Sequence, residues 1–126
     1  MGEQILTGSE WYVMDALWER GSMTVMELVA ALQARVGWSK STTITTLRRM
    51  EGKGLLRAEA AGRGRRYVPL VERRPAQAQE TRSFLDKVYQ GSVGLMVSAL
   101  VQDQALSRTE IDELYKILRQ AEEESV

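Results

Sequence analysis

The sequence predicts a mainly α-helical chain with one small β-hairpin, and three observations lead to this fold class. Apolar residues recur at three- and four-residue spacing in several segments, which is typical of amphipathic helices. Residues 7–10, 24–27 and 107–110 each place a hydroxyl residue three positions before a glutamate, the capping-box pattern of a helix start. Residues 55–70 instead contain a glycine–arginine turn between two short strand-like stretches, which is typical of a hairpin.

The composition excludes several classes of protein. The 126 residues suit one domain, or one small domain with an appendage. Cysteine and histidine are both absent, so the sequence predicts no disulfide framework, no metal site or cofactor, and no enzyme that uses the common general base. No apolar run approaches the roughly 20 residues of a membrane span. The first residues also lack the pattern of a secretory signal, so we expect a cytoplasmic protein without membrane insertion.

The first helix is predicted to begin at the capping box of residues 7–10 and to end near Gly21. Its apolar face consists of Trp11, Met14, Leu17 and Trp18. The two tryptophans could form a stacking platform for bases, but they share a face with Met14 and Leu17. We therefore expect both indoles to pack in the core.

The next two helices are predicted to form a helix-turn-helix. The first begins at residues 24–27 and ends at Gly37, and its apolar face consists of Val25, Leu28, Val29, Leu32 and Val36. The second is capped by Ser39 or Ser41 and runs to about Gly52, with Gly54 in the left-handed conformation that ends it. The very short link, in which Trp38 is expected to pack between the helices, is typical of this motif.

The third helix divides into two faces. Leu47 and Met50 are expected to face the core, together with either Thr43 and Thr46 or Ile44. The opposite face carries hydroxyl groups that can bond to base edges and an arginine that can bind guanine: Ser41, Thr42, Thr45 and Arg48. In a helix-turn-helix this part of the second helix meets the major groove.

A basic hairpin is predicted to follow, with strands at residues 55–60 and 65–70 joined by Gly62, Arg63 and Gly64. The stretch from Lys40 to Arg66 has eight basic and two acidic residues, although the whole chain has no net charge. A solvated charged surface is the alternative, but a recognition helix followed by a wing favours DNA. The predicted DNA-binding residues are Lys40, Ser41, Thr42, Ile44, Thr45, Arg48, Arg49, Arg63, Arg65 and Arg66.

The remaining chain is predicted to be a helical dimerisation region. A polar linker over residues 72–81 leads into one long helix that ends near Gln102, and a further helix begins at residues 107–110. Their apolar faces predict a homodimer interface, and the alternative is that they pack on their own winged domain. The predicted interface residues are Phe84, Leu85, Val88, Ser92, Leu95, Met96, Ala99, Ile111, Leu114 and Leu118. We therefore assign residues 1–71 to a winged-helix DNA-binding domain and residues 72–126 to dimerisation.

Long ordered motifs from Leu6 to Leu118 resemble the penicillinase-repressor family, which includes the repressors of β-lactamase and methicillin-resistance genes. The resemblance is carried by T-G-S-E-W-Y-V-M-D-A-L-W, T-V-M-E-L, W-S-K-S-T-T-I-T-T-L-R-R-M-E-G-K-G-L-L, G-R-G-R-R-Y-V-P-L-V, F-L-D-K-V-Y-Q-G-S and A-L-S-R-T-E-I-D-E-L. It implies a dimeric winged-helix repressor that binds palindromic operators in antibiotic resistance. It also implies relief by a membrane sensor-protease that cleaves the dimerisation region.

The chain departs from that family at two places. The family is cleaved between an asparagine and a phenylalanine, and Ala99 and Leu100 stand at the aligned positions of this chain. The copper-responsive branch carries cysteines near its C-terminus, which this sequence lacks, so sensing of a metal by thiolates is excluded. Two other hypotheses are a winged-helix regulator that senses a small molecule and a winged domain that docks only on proteins.

Overall fold

The computed structural model describes residues 6–125, which form six helices and three strands. In chain order the elements are α1 (Gly8–Arg20), β1 (Met23–Thr24), α2 (Val25–Val36), α3 (Lys40–Gly52), β2 (Leu56–Ala61), β3 (Gly64–Pro69), α4 (Arg73–Tyr89), α5 (Val93–Gln102) and α6 (Arg108–Glu124). The chain divides after Thr81 into two compact units, here called the winged unit and the C-terminal unit. Over the described range, every helix is too short or too polar to cross a membrane.

Side-chain caps begin the helices where the sequence predicts them. In α1 the Thr7 N–H donates to Glu10 Oε1 at 2.9 Å, and the Glu10 N–H donates to Thr7 Oγ1 at 3.3 Å. Equivalent boxes at residues 24–27 and 107–110 cap α2 and α6. The cap of α3 is Ser39, whose hydroxyl oxygen accepts from the Thr42 N–H at 3.1 Å. All three predicted capping boxes are confirmed, and Ser39 rather than Ser41 starts the recognition helix.

The sheet is antiparallel and has the strand order β1-β3-β2. Strands β2 and β3 pair from Leu56 opposite Pro69 to Ala61 opposite Gly64, and Gly62 in the turn has φ +60°. This is the predicted hairpin with its strands displaced by one residue. The two-residue strand β1 adds to the other edge of β3, where Met23 lies opposite Tyr67. A helix-turn-helix followed by this hairpin is a winged helix, so the predicted fold class is confirmed.

One hydrophobic core holds the winged unit together. Its buried members come from all three helices before the wing, from the wing itself and from the first turn of α4, and include Leu17, Leu32, Leu47, Leu56 and Ala76. The part of α4 that precedes Thr81 therefore packs with the winged unit. The assignment of DNA binding to residues 1–71 and of dimerisation to residues 72–126 stays a prediction.

The three tryptophans all belong to the winged unit. Trp11 and Trp18 pack against the core, as predicted, with their rings edge to face and the centroids 5.6 Å apart. The Trp18 Nε1–H donates to the Val71 carbonyl at 2.8 Å, which fastens the chain that leaves the wing onto α1. Trp38 also contacts the core, and its ring lies 6.2 Å from that of Tyr12.

The predicted long helix before Gln102 is wrong, because the chain forms two helices there. Gln90 and Gly91 both have positive φ, at +51° and +81°, and Ser92 caps α5 by accepting from the Leu95 N–H at 3.1 Å. A left-handed pair followed by a new cap ends one helix and starts another. The predicted seam therefore does not continue through Ser92. The predicted linker is mostly helical as well, since α4 begins at Arg73.

Candidate nucleic-acid interface

The inner face of α3 fixes which side chains remain for a ligand. Thr43, Thr46, Leu47 and Met50 are all buried, whereas Ile44 is half-buried at the edge of the helix. The structure therefore selects the alternative in which two threonines join the core. The Thr46 hydroxyl donates to the Thr42 carbonyl at 2.8 Å, but the Thr43 hydroxyl finds no hydrogen-bond partner among the described residues.

The outer face of α3 carries the predicted polar and basic groups. The exposed side chains are Lys40, Ser41, Thr42, Thr45, Arg48 and Arg49. Over residues 6–125, no carboxylate forms an ion pair with Lys40, Arg48 or Arg49. This face thus presents hydroxyl donors and acceptors beside unneutralised positive charge, the two groups that base edges and phosphates require.

The three arginines of the wing differ in their surroundings. Arg63 lies exposed in the turn and has no ion-pair partner within the described range. Arg65 Nη2 lies 3.2 Å from Glu51 Oε2, and Arg66 Nη1 donates to Ser22 Oγ at 3.1 Å. The structure therefore places all three on the wing. Arg65 and Arg66 already contact residues outside the wing, namely Glu51 and Ser22.

Glu51 connects α3 to the wing. Besides Arg65, it accepts a hydrogen bond from the Tyr67 hydroxyl at 3.2 Å. Tyr67 is only 2% exposed and belongs to the hydrophobic core of the winged unit. Burial raises the pKa of Tyr67, and the charge of Glu51 and its hydrogen bond raise it further. In the sequence Glu51 is one of two acidic residues in a basic stretch, and nothing near it in sequence indicates contact with residues of β3.

A second polar contact joins the start of α1 to the end of α3. Lys53 Nζ lies 2.6 Å from Glu10 Oε2, and the Glu10 side chain is completely buried. Burial by itself raises the pKa of Glu10, but the hydrogen bonds from Lys53 and Thr7 together with the Lys53 charge hold that pKa below its ordinary value. Because Lys53 is the C-cap of α3, this pair fixes the end of the recognition helix against α1.

Comparison with known proteins identifies the family. A profile of the penicillinase repressor family matches residues 6–120. The chain is 31% identical over 115 residues to the penicillinase repressor of Bacillus licheniformis, which covers 91% of this chain and 90% of that one. It is 28% identical over 113 residues to the methicillin resistance regulatory protein MecI of Staphylococcus aureus strain N315, covering 90% and 92% of the two chains.

A solved structure resembles the winged unit. The solution structure of the DNA-binding domain of the repressor BlaI superposes with a TM-score of 0.53 at 28% identity, covering 59% of this chain and 93% of that one. The profile match and the relatives extend beyond this domain into the C-terminal unit. This chain therefore belongs to the penicillinase repressor family, whose members are DNA-binding repressors and not enzymes.

Proposed function

We propose that this chain is a cytoplasmic transcriptional repressor that binds a palindromic DNA operator as a homodimer. The observation that carries the proposal is the outer face of α3, where exposed hydroxyls stand beside cations that pair with no carboxylate of residues 6–125. A helix-turn-helix inserts this face into the major groove. Occupation of a promoter by the dimer then blocks transcription.

The predicted contacts divide by chemistry. Ser41, Thr42 and Thr45 read base edges, and Arg48 binds a guanine through two hydrogen bonds. Ile44, at the edge of this face, offers an apolar contact to a thymine methyl group. The phosphates are bound by the remaining cations of the predicted set, namely Lys40, Arg49, Arg63, Arg65 and Arg66. Phosphate contacts fix the position of the protein on the duplex, and base contacts select the sequence.

The exposed apolar surface of the C-terminal unit supports the homodimer. No described residue of this unit is buried. Even large apolar side chains are exposed, with Leu95 at 52% and Leu118 at 60%. Every residue of α5 except Ser98 and Gln102 is apolar or glycine, and a helix of this composition is normally covered by other protein surface. Between α5 and α6 an apolar groove of about 360 Å³ is lined by Val97, Val101, Leu106, Ile111, Leu114, Tyr115 and Leu118.

A second copy is the proposed cover for this surface. Around a two-fold axis each subunit presents the same patch to the other. The proposed contact residues are those predicted from sequence: Phe84, Leu85, Val88, Ser92, Leu95, Met96, Ala99, Ile111, Leu114 and Leu118. Such a dimer carries two recognition helices, which suits two half-sites one helical turn apart.

Relief by a membrane sensor-protease completes the proposal. Ala99 and Leu100, at the aligned cleavage position, lie within α5. A cut between them separates α6 from the winged unit and removes part of the proposed dimer surface. The single winged domain that remains binds only one half-site, so affinity for the operator falls.

The test is a titration of the full chain against DNA from upstream of its own gene, with a random fragment as control, at several salt concentrations. We expect tight binding with a large preference for the operator. Affinity should fall steeply with salt if the dimer makes roughly 6–10 phosphate contacts. A footprint then gives the spacing of the half-sites. Weak and equal binding to both fragments would contradict the proposal.

A further inference from the structure

We infer that Glu51 is a positioning residue that joins the recognition helix to the wing and fixes the geometry in which both meet DNA. This inference rests on the proposed function, because it concerns how the same surface recognises an operator. Glu51 lies in the last turn of α3, immediately before the turn that leads into the wing. It is not one of the residues predicted to touch DNA.

Two side chains of β3 converge on the Glu51 carboxylate. Tyr67 donates its hydroxyl to Oε1 and Arg65 donates Nη2 to Oε2, both at 3.2 Å. Residues two apart in a strand point to the same face, so Arg65 and Tyr67 both extend from one side of the wing. The Arg65 guanidinium also lies 5.8 Å from the centre of the Tyr67 ring. One carboxylate therefore holds two residues of β3 against the end of α3.

The negative charge of Glu51 opposes the attraction of this surface to DNA. Glu51 is the only acidic residue in α3, and it stands beside a surface rich in cations. Close to DNA its charge repels phosphate. The other acid of this basic stretch, Glu59, pairs with Arg57 of its own strand at 2.8 Å. Glu59 thus provides the same charge near the wing without the two contacts that Glu51 makes between β3 and α3.

Holding Arg65 does not prevent it from binding DNA. A guanidinium has five N–H donors, and the Glu51 contact uses one of them. The side chain is 55% exposed, so its other donors remain accessible to a phosphate. A guanidinium fixed before binding loses less conformational freedom when the complex forms. Glu51 therefore contributes to operator binding by holding the wing, and with it Arg65, in the register that lets α3 meet the base edges.

The experiment compares Glu51→Gln with Glu59→Gln in the full chain, on the operator and on a random fragment. Both changes remove one negative charge, which is expected to strengthen random binding by about twofold. Glu59→Gln should strengthen operator binding by the same factor. Glu51→Gln replaces the charged carboxylate with a neutral amide and so disturbs the contacts with Arg65 and Tyr67. It should therefore weaken operator binding by roughly tenfold, as for a lost hydrogen bond to a charged group.

A second variant removes only the Tyr67 contact with Glu51 and leaves the charge unchanged. Tyr67→Phe removes the hydroxyl that donates to Glu51. We expect it to lower the ratio of operator to random affinity by a few-fold, while random affinity stays unchanged. An unchanged ratio in both Glu51→Gln and Tyr67→Phe would overturn the inference, because Glu51 would then act only as a charge.

Amide hydrogen exchange of the unbound protein separates this inference from the proposed function. Glu51→Gln should speed the exchange of the wing amides at residues 56–69, and Glu59→Gln should leave it unchanged. If the native chain shows no preference for its operator, the proposed function fails, yet the exchange rates still report whether Glu51 holds the wing. Exchange equal to that of the native chain in Glu51→Gln would contradict the coupling directly.

Discussion

The winged unit and the C-terminal unit use apolar side chains in opposite ways. The former buries Leu17, Leu28, Leu32 and Leu47 almost completely within its own fold. The latter buries none of its described residues and leaves large side chains such as Tyr115 and Leu118 more than half exposed. Apolar area contributes to stability in proportion to its removal from water. The first unit therefore has a closed core of its own, whereas the second leaves its apolar side chains accessible.

The largest expected difference between the units concerns core truncation. Leu17→Ala should lower the free energy of unfolding of the winged unit by about 2–5 kcal/mol at every protein concentration, because it leaves a cavity in a closed core. Leu118→Ala should have an effect that depends on protein concentration, since its exposed side chain would be covered only in the proposed homodimer. Urea unfolding followed by circular dichroism at two concentrations measures both. Equal concentration dependence in the two variants would contradict the comparison.

A charge placed on α5 should break the proposed homodimer. Leu95→Asp puts a carboxylate in the proposed interface, so we expect dimerisation to weaken by about 3 kcal/mol or more. Sedimentation should then show the mass of one chain, and operator binding should weaken with it. Gln120→Asp adds the same charge on the opposite face of α6 from Ile111 and serves as the control. A dimer that persists in Leu95→Asp would rule out this interface.

Changes on the outer face of α3 should alter DNA binding without altering association. Arg48→Ala should cost about 1–3 kcal/mol on the operator and relax specificity at one base pair. Arg49→Ala, which removes a proposed phosphate contact, should weaken binding to operator and random DNA alike and reduce the salt slope by about 1. Titrations on both fragments measure this. An equal loss on both fragments in Arg48→Ala would make Arg48 a phosphate contact only.

The contribution of the Glu10–Lys53 pair to the free energy of unfolding should depend on pH. Lys53→Met leaves a buried carboxylate without its cation, and we expect a loss of about 1–2 kcal/mol near pH 7, moderated because Lys53 is partly exposed. The pKa of Glu10 is lowered in the folded chain. Its stabilisation is therefore complete above the ordinary value of about 4.3 and is lost as the pH falls through the lower folded-state pKa. Unfolding curves of both proteins should converge in acid. A difference that is independent of pH would contradict this assignment.

The smallest expected effect is a gain in stability. Thr43→Val replaces a buried hydroxyl without a described partner by a methyl group, so the free energy of unfolding should rise by about 1 kcal/mol. Thr46→Val is the control, because it removes a hydroxyl that donates to the Thr42 carbonyl. Thermal unfolding should rank Thr43→Val above the native chain and Thr46→Val. Equal stabilisation by both changes would show that hydroxyl pairing is not the cause.

Features set by neighbours in sequence could be predicted. The box formed by Thr7 and Glu10 depends on residues three apart, and the glycine turn at Gly62 depends on the conformation of one residue. Spacing alone predicts that Met14 and Leu17 of α1, and Leu28, Val29 and Leu32 of α2, are buried. For these parts the sequence already contains the interacting groups, which explains why the winged unit agreed with expectation.

Features set by distant contacts or by competing local preferences could not be predicted. Glu10 meets Lys53, and Glu51 meets Tyr67, only after the hairpin and α1 pack on α3. The break before Ser92 was hidden because apolar spacing continued through it, and because Gln90 takes a left-handed conformation that glutamine seldom adopts. The roles of the predicted DNA and dimer residues stay predictions, since they depend on partners outside a single chain.

The placement of the three tryptophans has a practical consequence. All indole emission from this chain originates in residues 11–38, within the winged unit. Peptide-bond ellipticity, in contrast, reports the helices of both units. If the C-terminal unit loosens first on dilution or heating, the optical signal of its helices should decline while the emission spectrum stays native-like. A single unlabelled sample thus carries one signal from the winged unit and one from both units, and coincident curves would indicate that the two units unfold as one.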